Sequence, residues 1–236
     1  MKQILAIVFL LFLTTNVIFA QQGLEIGLKV LPQTTWIFND DDFAAGSELD
    51  FEPKFEMAYG LNVGVNLSDR FGIQSGIIYS PQGQKYAHKN ELLLGTAAKS
   101  SEINLNYLQV PVLLKFNSDP MAVFSFVMGA GVQFGFLQNA AYYINNVQVD
   151  SLVLGDNPAN FYNEKDLSVI FNIGTQINVT EHLNLNVAIQ TDYSLDDIEN
   201  KVIGILPSYN GINGRNAPSQ NLTAGLQVGI NYVIGR

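Results

Sequence analysis

The densest group of residues able to do chemistry is a run of three carboxylates, Asp40-Asp41-Asp42, followed by further acidic residues up to Glu52. Several carboxylates close together could bind Ca²⁺, which prefers oxygen ligands, but the run lacks the glycine and the spacing of an EF-hand loop. Runs of like charge are commonly solvated. The sequence therefore favours a solvated loop, with a loop cation site at Asp40, Asp41 and Asp42 as the alternative.

The chain has two histidines, His88 and His182, and no cysteine. A hydrolase or acyltransferase would need one of them beside a serine or an acid, and His88 has Ser100 and Glu91 nearby in sequence. Geometry decides whether such a site exists, and two surface histidines fit the same facts. We predict no catalytic residue, no resident metal and no cofactor.

The charge content is low and acidic. Charged residues make up 14% of the chain, with 21 acidic against 12 basic residues, whereas soluble domains carry roughly 25% charged residues. The acidic balance lacks the basic footprint of a nucleic-acid-binding protein. After the first twenty residues no segment is apolar for the roughly 20 residues that a transmembrane helix needs. Apolar surface must therefore be hidden in another way.

The N-terminus has the three parts of a secretory signal. Lys2 supplies a cation, Ile4 to Leu13 is an apolar run, and Ala20 precedes a polar pair. The run is too short for a membrane anchor, which is the alternative. We predict a cleaved signal peptide over residues 1–20 and one domain over residues 21–236.

The elements that must position these groups are strands. From Phe55 to Leu67 every second residue is large and apolar, and the residues between are small or polar. Side chains alternate faces along a strand, and this strand exceeds the roughly 9–11 residues needed to cross a bilayer. Similar alternation recurs near residues 24–30, 71–80, 102–108, 122–136, 167–179, 183–193 and 222–234.

The connections alternate in length. Short turns at 68–70, 117–120 and 180–182 separate long polar segments near 38–54, 85–101, 139–166 and 196–219. This pattern predicts an all-β fold, an eight-stranded antiparallel up-and-down transmembrane β-barrel with short periplasmic turns and long extracellular loops, in the outer membrane of a Gram-negative bacterium. The alternative is a soluble lipocalin-type barrel, but its interior would be overfilled by the apolar faces.

Charged residues also fall on faces predicted to point into the barrel, among them Glu102. Because a buried charge must be paired, we predict a polar network that fills the lumen. Its members are Glu25, Lys29, Glu56, Asn62 and Gln74. The alternative is a narrow path for ions or protons.

Two local features modify the strands. Pro111 removes one ladder donor, and prolines mark bulges or strand starts, so a bulge is predicted near residues 109–112. Tyr142 to Val149 reads as a hairpin with an Asn145-Asn146 turn. If that hairpin crossed the bilayer, the barrel would have ten strands.

Several segments resemble a known family. Asn106 to Phe116 resembles the "YLEIPLLLKY" strand of the PorT-type outer-membrane β-barrel proteins of the Bacteroidetes, and Gly129 to Leu137 resembles the strand that follows it. Thr191 to Ile198 resembles the penultimate strand, with Asp192 and Asp196 in place of the usual basic residue and glycine. The resemblance implies an eight-stranded outer-membrane barrel with a cleaved signal. A few members serve type IX secretion, and no functional residue set carries over.

These features lead to one functional expectation and two alternatives. We expect a monomeric barrel with a structural or protein-interaction role, which contacts outer-membrane lipid and, through its extracellular loops, other envelope or secretion proteins, with no nucleic-acid partner. The alternatives are a small-solute pore and a lipid-modifying barrel enzyme.

Overall fold

The computed structural model describes residues 23–44, 49–93, 96–119, 121–149, 158–201 and 216–235. The predicted signal peptide lies outside the described residues. Within these ranges, no helix is long and apolar enough to cross a membrane.

The described residues form ten β-strands, the short helix α1 (Asp40–Ala44) and a 3₁₀ turn (Pro158–Phe161). The strands are β1 (Leu24–Asn39), β2 (Leu49–Glu52), β3 (Lys54–Asn66), β4 (Phe71–Leu93), β5 (Thr96–Asn117), β6 (Phe124–Ile144), β7 (Val147–Val149), β8 (Lys165–Asn178), β9 (Leu183–Ser194) and β10 (Ser219–Ile234).

Eight of these strands close into a ring. Their order around it is β1, β3, β4, β5, β6, β8, β9 and β10, and β10 pairs with β1 to complete the wall. Every pairing between neighbours is antiparallel. The strand β2 continues the line of β3 beyond Pro53 and pairs with β4. The predicted eight-stranded up-and-down fold is therefore confirmed.

In the half of the barrel nearest the short turns, apolar side chains point outward. Leu28, Leu61 and Ile189 lie on three different strands and are 57%, 57% and 61% exposed, whereas inward-facing Asn62 is buried. The alternation in the sequence follows from this arrangement, since successive side chains of a strand point to opposite faces. The result is a continuous apolar belt around the outside of this half.

In the half nearest the long loops, the polarity reverses. The inward-facing residues Ile37, Ile103, Leu105 and Tyr107 are buried and form an apolar core inside the barrel. The wall here is longer than predicted, because β4 and β5 run far into the segment 85–101 that was expected to be a loop. This half therefore packs like the interior of a water-soluble barrel.

The reversal corrects one prediction. Glu102 pairs with Lys85 on β4 and points outward, whereas we expected it to face the lumen. Its neighbours Ser101 and Ile103 are the buried residues of that stretch. Ile103 packs in the apolar core of the long-loop half, and Glu102, one residue before it on the strand, lies on the opposite face.

The bulge predicted near Pro111 is also wrong. The pairs Ser75↔Val112 and Ile78↔Gln109 keep the same offset, so the ladder passes the proline without an extra residue. The register shift on β5 lies instead between Asn106 and Tyr107, opposite β6. The ladder tolerates the backbone N–H donor that Pro111 lacks, and the register of β5 does not shift at this residue.

The hairpin predicted at residues 142–149 is confirmed. Asn145 and Asn146 have φ angles of 50° and 64°, the conformation of a two-residue type I′ turn. Among the described residues, β7 pairs with the end of β6 and with no other strand. It lies outside the ring, so the strand count stays at eight.

Candidate functional site

A buried ion pair lies in the lumen near the short-turn end. Lys115 Nζ on β5 donates hydrogen bonds to both carboxylate oxygens of Glu25 on β1, at 3.1 and 2.9 Å, and approaches Gln176 Oε1 at 3.3 Å. Glu25 is 4% exposed. Such a pair satisfies two charges that would otherwise be costly to bury.

On the long-loop side of this pair, amide side chains line the lumen. Lys29 is buried and donates to Gln227 Oε1 at 3.5 Å. Asn62 donates to Asn231 Oδ1 at 3.0 Å, and Asn231 donates in turn to Asn184 Oδ1 at 2.9 Å. The predicted residues Glu25, Lys29 and Asn62 therefore all reach the lumen, but the carboxylate of Glu25 is bonded by Lys115, which sequence reasoning left unassigned.

Glu56 has a different environment. The β3–β4 ladder is interrupted between the pairs Tyr59↔Tyr79 and Glu52↔Lys85, and Glu56 lies on the β3 side of this interruption. Its carboxylate accepts a hydrogen bond from Lys54. Lys54 Nζ also lies 3.6 Å from Glu102 Oε1. Glu56 thus belongs to a charged group in the wall.

The interruption is crossed from inside by β1. Gln33 Nε2 donates to the carbonyl of Pro81 at 2.9 Å, and Thr35 Oγ1 donates to the carbonyl of Gly83 at 2.8 Å. Side chains thereby replace part of the missing ladder. Gln74, the remaining member of the predicted network, is half-buried on β4, on the short-turn side of the interruption.

Sequence reasoning missed two buried acids in the lumen, Asp166 on β8 and Asp192 on β9, which are 6% and 4% exposed. Asp166 Oδ2 accepts hydrogen bonds from Ser168 Oγ at 2.9 Å and Ser194 Oγ at 2.8 Å. Asp192 accepts one from Thr223. The sequence does contain a signal for Asp192, because this residue lies on the inward face of an alternating segment.

The three acids at the start of α1 have separate partners. Asp41 Oδ2 accepts the backbone N–H groups of Asn216 and Ala217 at 2.7 and 2.8 Å, and Asp42 Oδ2 accepts the hydroxyl of Tyr86 at 2.7 Å. In the described part of the chain, no three His, Cys, Asp or Glu side chains are placed to hold a metal ion. The hypothesis of a cation site at Asp40, Asp41 and Asp42 therefore gains no support; at least two of these acids anchor neighbouring segments.

His88 points into the long-loop half and contacts a serine. Its Nε2 lies 2.7 Å from Ser101 Oγ, one residue beyond the Ser100 considered from the sequence; the side chain of Glu91 lies outside the described residues. Burial lowers the pKa of His88, and the carboxylate of Asp42 acts in the opposite direction. Ser101 is 3% exposed and so is poorly accessible to a substrate. His182 lies in a short turn and contacts the carbonyl of Val233.

A cap closes the long-loop end. Phe161, Tyr162 and Ile198 join the apolar core inside the barrel. The backbone holds them there: Asn163 N–H donates to the carbonyl of Ile198 at 2.8 Å, and Asn200 N–H donates to that of Phe161 at 2.8 Å. The lumen is therefore polar at one end and filled with packed apolar side chains at the other.

The sequence from residue 19 to residue 200 matches the family described as "Outer membrane protein beta-barrel domain". The chain belongs to this family. No curated protein shows significant sequence similarity to it.

Among solved structures, this outer-membrane barrel is similar to OprG from Pseudomonas aeruginosa, with 13% identity, a TM-score of 0.48, and coverage of 92% of this chain and 97% of that one. It is also similar to Neisserial surface protein A, with 8% identity, a TM-score of 0.47 and coverage of 89% and 96%. A third is Ail from Yersinia pestis, with 10% identity, a TM-score of 0.40 and coverage of 90% and 99%.

Membership of the family places the protein in the outer membrane of a Gram-negative bacterium. In such barrels the short turns face the periplasm and the longer loops face outward. The apolar belt is then the membrane-facing surface, the Glu25–Lys115 pair lies at the periplasmic end, and the cap lies at the extracellular end. Aromatic pairs mark two levels of this belt: Phe71 and Phe116, with ring centroids 5.4 Å apart, and Tyr59 and Tyr79, also 5.4 Å apart.

Proposed function

We propose that this outer-membrane barrel is monomeric and non-conducting, has no catalytic activity, and uses its extracellular end in a structural or protein-interaction role. One observation carries the proposal. The apolar core around Ile103, Leu105 and Tyr107, capped by Phe161 and Ile198, fills the lumen at the extracellular end with side chains that are at most 2% exposed. Ions crossing the barrel would have to pass through that core.

The resemblance of Asn106 to Phe116 to a strand of the PorT-type barrels supports a role assisting secretion of the type IX kind. The partners would be other envelope or secretion proteins, bound through the extracellular loops, with outer-membrane lipid around the belt. The extension of β4, β5 and β6 beyond the belt provides a rigid base for such contacts, because binding residues on rigid elements are better positioned than those on mobile loops.

The test is conductance of the refolded barrel in a planar lipid bilayer. We expect no steady openings from the native protein, and none from Glu56→Gln. The variant Phe161→Ala removes a buried ring from the cap and should produce openings if the core is what blocks the lumen. Val147→Ala changes an exposed residue outside the ring and is the matched control.

Steady openings of the native barrel would contradict the proposal and favour a small-solute pore. The amide-lined lumen from Asn62 to Gln227 is the observation that supports this second candidate, since polar walls suit hydrated solutes. If the barrel is silent, crosslinking in intact cells followed by isolation of the barrel should recover envelope proteins. Failure to recover any, in a silent barrel, would contradict the interaction role.

A lipid-modifying enzyme is the third candidate, and the 2.7 Å contact between His88 and Ser101 is the observation behind it. A fluorophosphonate probe, which reacts with activated serines, distinguishes a lipid-modifying enzyme from a non-catalytic barrel. We expect no labelling of the folded barrel. Labelling that disappears in Ser101→Ala and in His88→Gln would overturn the non-catalytic proposal.

A further inference from the structure

The strand β3 has an unpaired edge where its ladder with β4 is interrupted. Six residues on the β3 side (53–58) face five residues of β4 (80–84), and in the described part of the chain no pairing joins the two stretches. Because one side has an extra residue, the register changes by one across the interruption. A single ladder therefore cannot run through it.

A neighbouring hydrogen bond shows which backbone groups lie along this edge. The N–H of Leu67, directly after β3, donates to the carbonyl of Phe71 on β4 at 2.8 Å. Backbone groups alternate between the two neighbours of a strand, so the odd-numbered residues of β3 direct their N–H and C=O groups toward β4. Phe55 and Met57 are the odd-numbered residues of β3 within the interruption. Their N–H and C=O groups therefore face the gap.

The facing groups of β4 already have other partners. The carbonyls of Pro81 and Gly83 accept hydrogen bonds from Gln33 and Thr35 of β1, and proline has no N–H to donate. The two β1 side chains are buried and point inward, although β1 and β4 are not neighbours in the ring. The strand β4 therefore bends toward the interior at this level and leaves a recess on the outside beside β3.

Gly83 allows β4 to bend in this way. Its φ angle is 133°, a conformation that glycine adopts freely and other residues rarely do. A Cβ at this position would also clash with the carbonyl oxygen of Ile103 on β5. The recess is therefore lined on its inner side by Pro81 and Gly83, and neither residue has a long side chain.

The edge lies at the extracellular border of the apolar belt. The side chains of Phe55 and Met57 are 78% and 51% exposed. Backbone groups at membrane depth must be satisfied without water. A phosphate or ester oxygen of a lipid can accept from the two N–H groups but cannot donate to the two carbonyls. An extended chain supplies donors and acceptors at the matching two-residue spacing.

We propose that the edge of β3 at Phe55 and Met57 binds an extended segment of another envelope protein as an added strand. Main-chain hydrogen bonds supply the affinity in this mode of recognition. Alternate side chains of the segment are large and apolar where they lie beside Phe55 and Met57, and small where they lie over Pro81 and Gly83. The proposal deepens the interaction role proposed above, because it adds a contact surface on the wall to the extracellular loops.

Hydrogen exchange of the refolded barrel in micelles tests whether the edge is free. The amides of Phe55 and Met57 should exchange roughly tenfold faster, or more, than those of Glu56 and Ala58. The latter two are even-numbered and direct their N–H groups toward β1, with which they pair. Equal protection of all four amides would overturn the proposal.

Photocrosslinking in intact cells tests the occupant. The photoreactive residue p-benzoylphenylalanine at position 55 should give a protein adduct. Met57→Pro removes an N–H that faces the gap and should abolish the adduct, whereas Met57→Ala keeps that N–H and should retain it. The same photoreactive residue at position 189, on the belt at a residue that is 61% exposed, controls for random collisions. Thermal midpoints in micelles show whether each variant is folded, and Phe55→Pro with the photoreactive residue at position 57 blocks the same edge if Met57→Pro is not.

An adduct with lipid alone would overturn the proposal in favour of a bound lipid. A protein adduct that persists in folded Met57→Pro would also overturn it, because the partner would then not use the β3 backbone. Protein adducts from position 147 on the outer hairpin, with none from position 55, would contradict the edge site and leave the interaction role intact. The absence of protein adducts at both positions would contradict both.

Discussion

Lys115 and Glu25 meet inside the barrel at 2.9 Å, although their strands β5 and β1 are separated by two others along the shorter path around the ring. The pair therefore ties together parts of the wall that share no backbone hydrogen bonds. The side chain of Glu25 is 5% exposed and that of Lys115 is 13% exposed.

Replacing Lys115 by Met should destabilise the barrel by about 3 kcal/mol, because removing one partner leaves the other charge buried and uncompensated. Urea unfolding in detergent micelles measures the change. The double variant Lys115→Met/Glu25→Met should recover most of the loss. Lys165→Met, at an exposed lysine, is the control and should change little. A loss as large in the double variant as in the single one would show that packing, and not charge, explains the effect.

The apolar belt predicts where an added charge is costly. Leu61→Arg places a cation on the membrane-facing side and should cost about 2–4 kcal/mol if the residue lies near the bilayer midplane. Ala87→Arg, on the outward face of the extracellular extension and opposite Asp50, should cost little. Unfolding from lipid vesicles checks both. Equal costs would mean that the belt does not end where the polarity reverses.

His88 should make the extracellular half sensitive to acid. Burial holds the pKa of His88 below its ordinary value of 6.5, so the unfolded chain binds a proton more readily than the folded one. The contribution of neutral His88 to the free energy of unfolding is then full above about pH 6.5. It falls as the pH drops from there toward the lower pKa of His88 in the folded state. Hydrogen exchange of β4 and β5 measured across this window should show the decline. His88→Asn should flatten it, and His182→Asn, in a periplasmic turn, should leave it unchanged.

The two asparagines of the type I′ turn should respond differently to glycine. Both occupy positive φ angles, which glycine adopts freely. Asn145, however, also accepts the N–H of Lys99 at 2.8 Å and donates to the carbonyl of Ala97 at 2.9 Å. Asn146→Gly should therefore be tolerated, whereas Asn145→Gly should loosen the link between the hairpin and β5 by about 1 kcal/mol. Exchange rates of the amides at residues 99 and 100 report the difference.

Much of the fold could be predicted from the sequence, because the membrane-facing half imposes a strict alternation. In segments such as Phe55 to Leu67, one face contacts lipid and the other faces the lumen, so large apolar residues alternate with small or polar ones. The extracellular half obeys the opposite rule, so Glu102 was assigned to the wrong side. Alternation alone does not say which face is inside; that depends on whether lipid or water lies beyond the wall.

The interior was harder to predict for a different reason. Which residues point inward follows from period two, and Glu25, Lys29 and Asn62 are buried inside the barrel. Which inward residues meet depends on the stagger between strands that are far apart in sequence. Glu25 is bonded by Lys115, 90 residues away, and Asp166 by Ser194, 28 residues away. No local pattern records those distances.

The reversal of polarity along each strand has a consequence for how the protein enters the membrane. The extracellular segments of β1 and β5 must cross the bilayer before Ile37, Ile103 and Leu105 can pack against one another and against the cap. Once they have packed, pulling a strand back would expose that core and draw charged residues such as Lys85 into lipid. Insertion of this barrel is therefore expected to be directional, with the folding of the outer half keeping each strand from sliding back toward the periplasm.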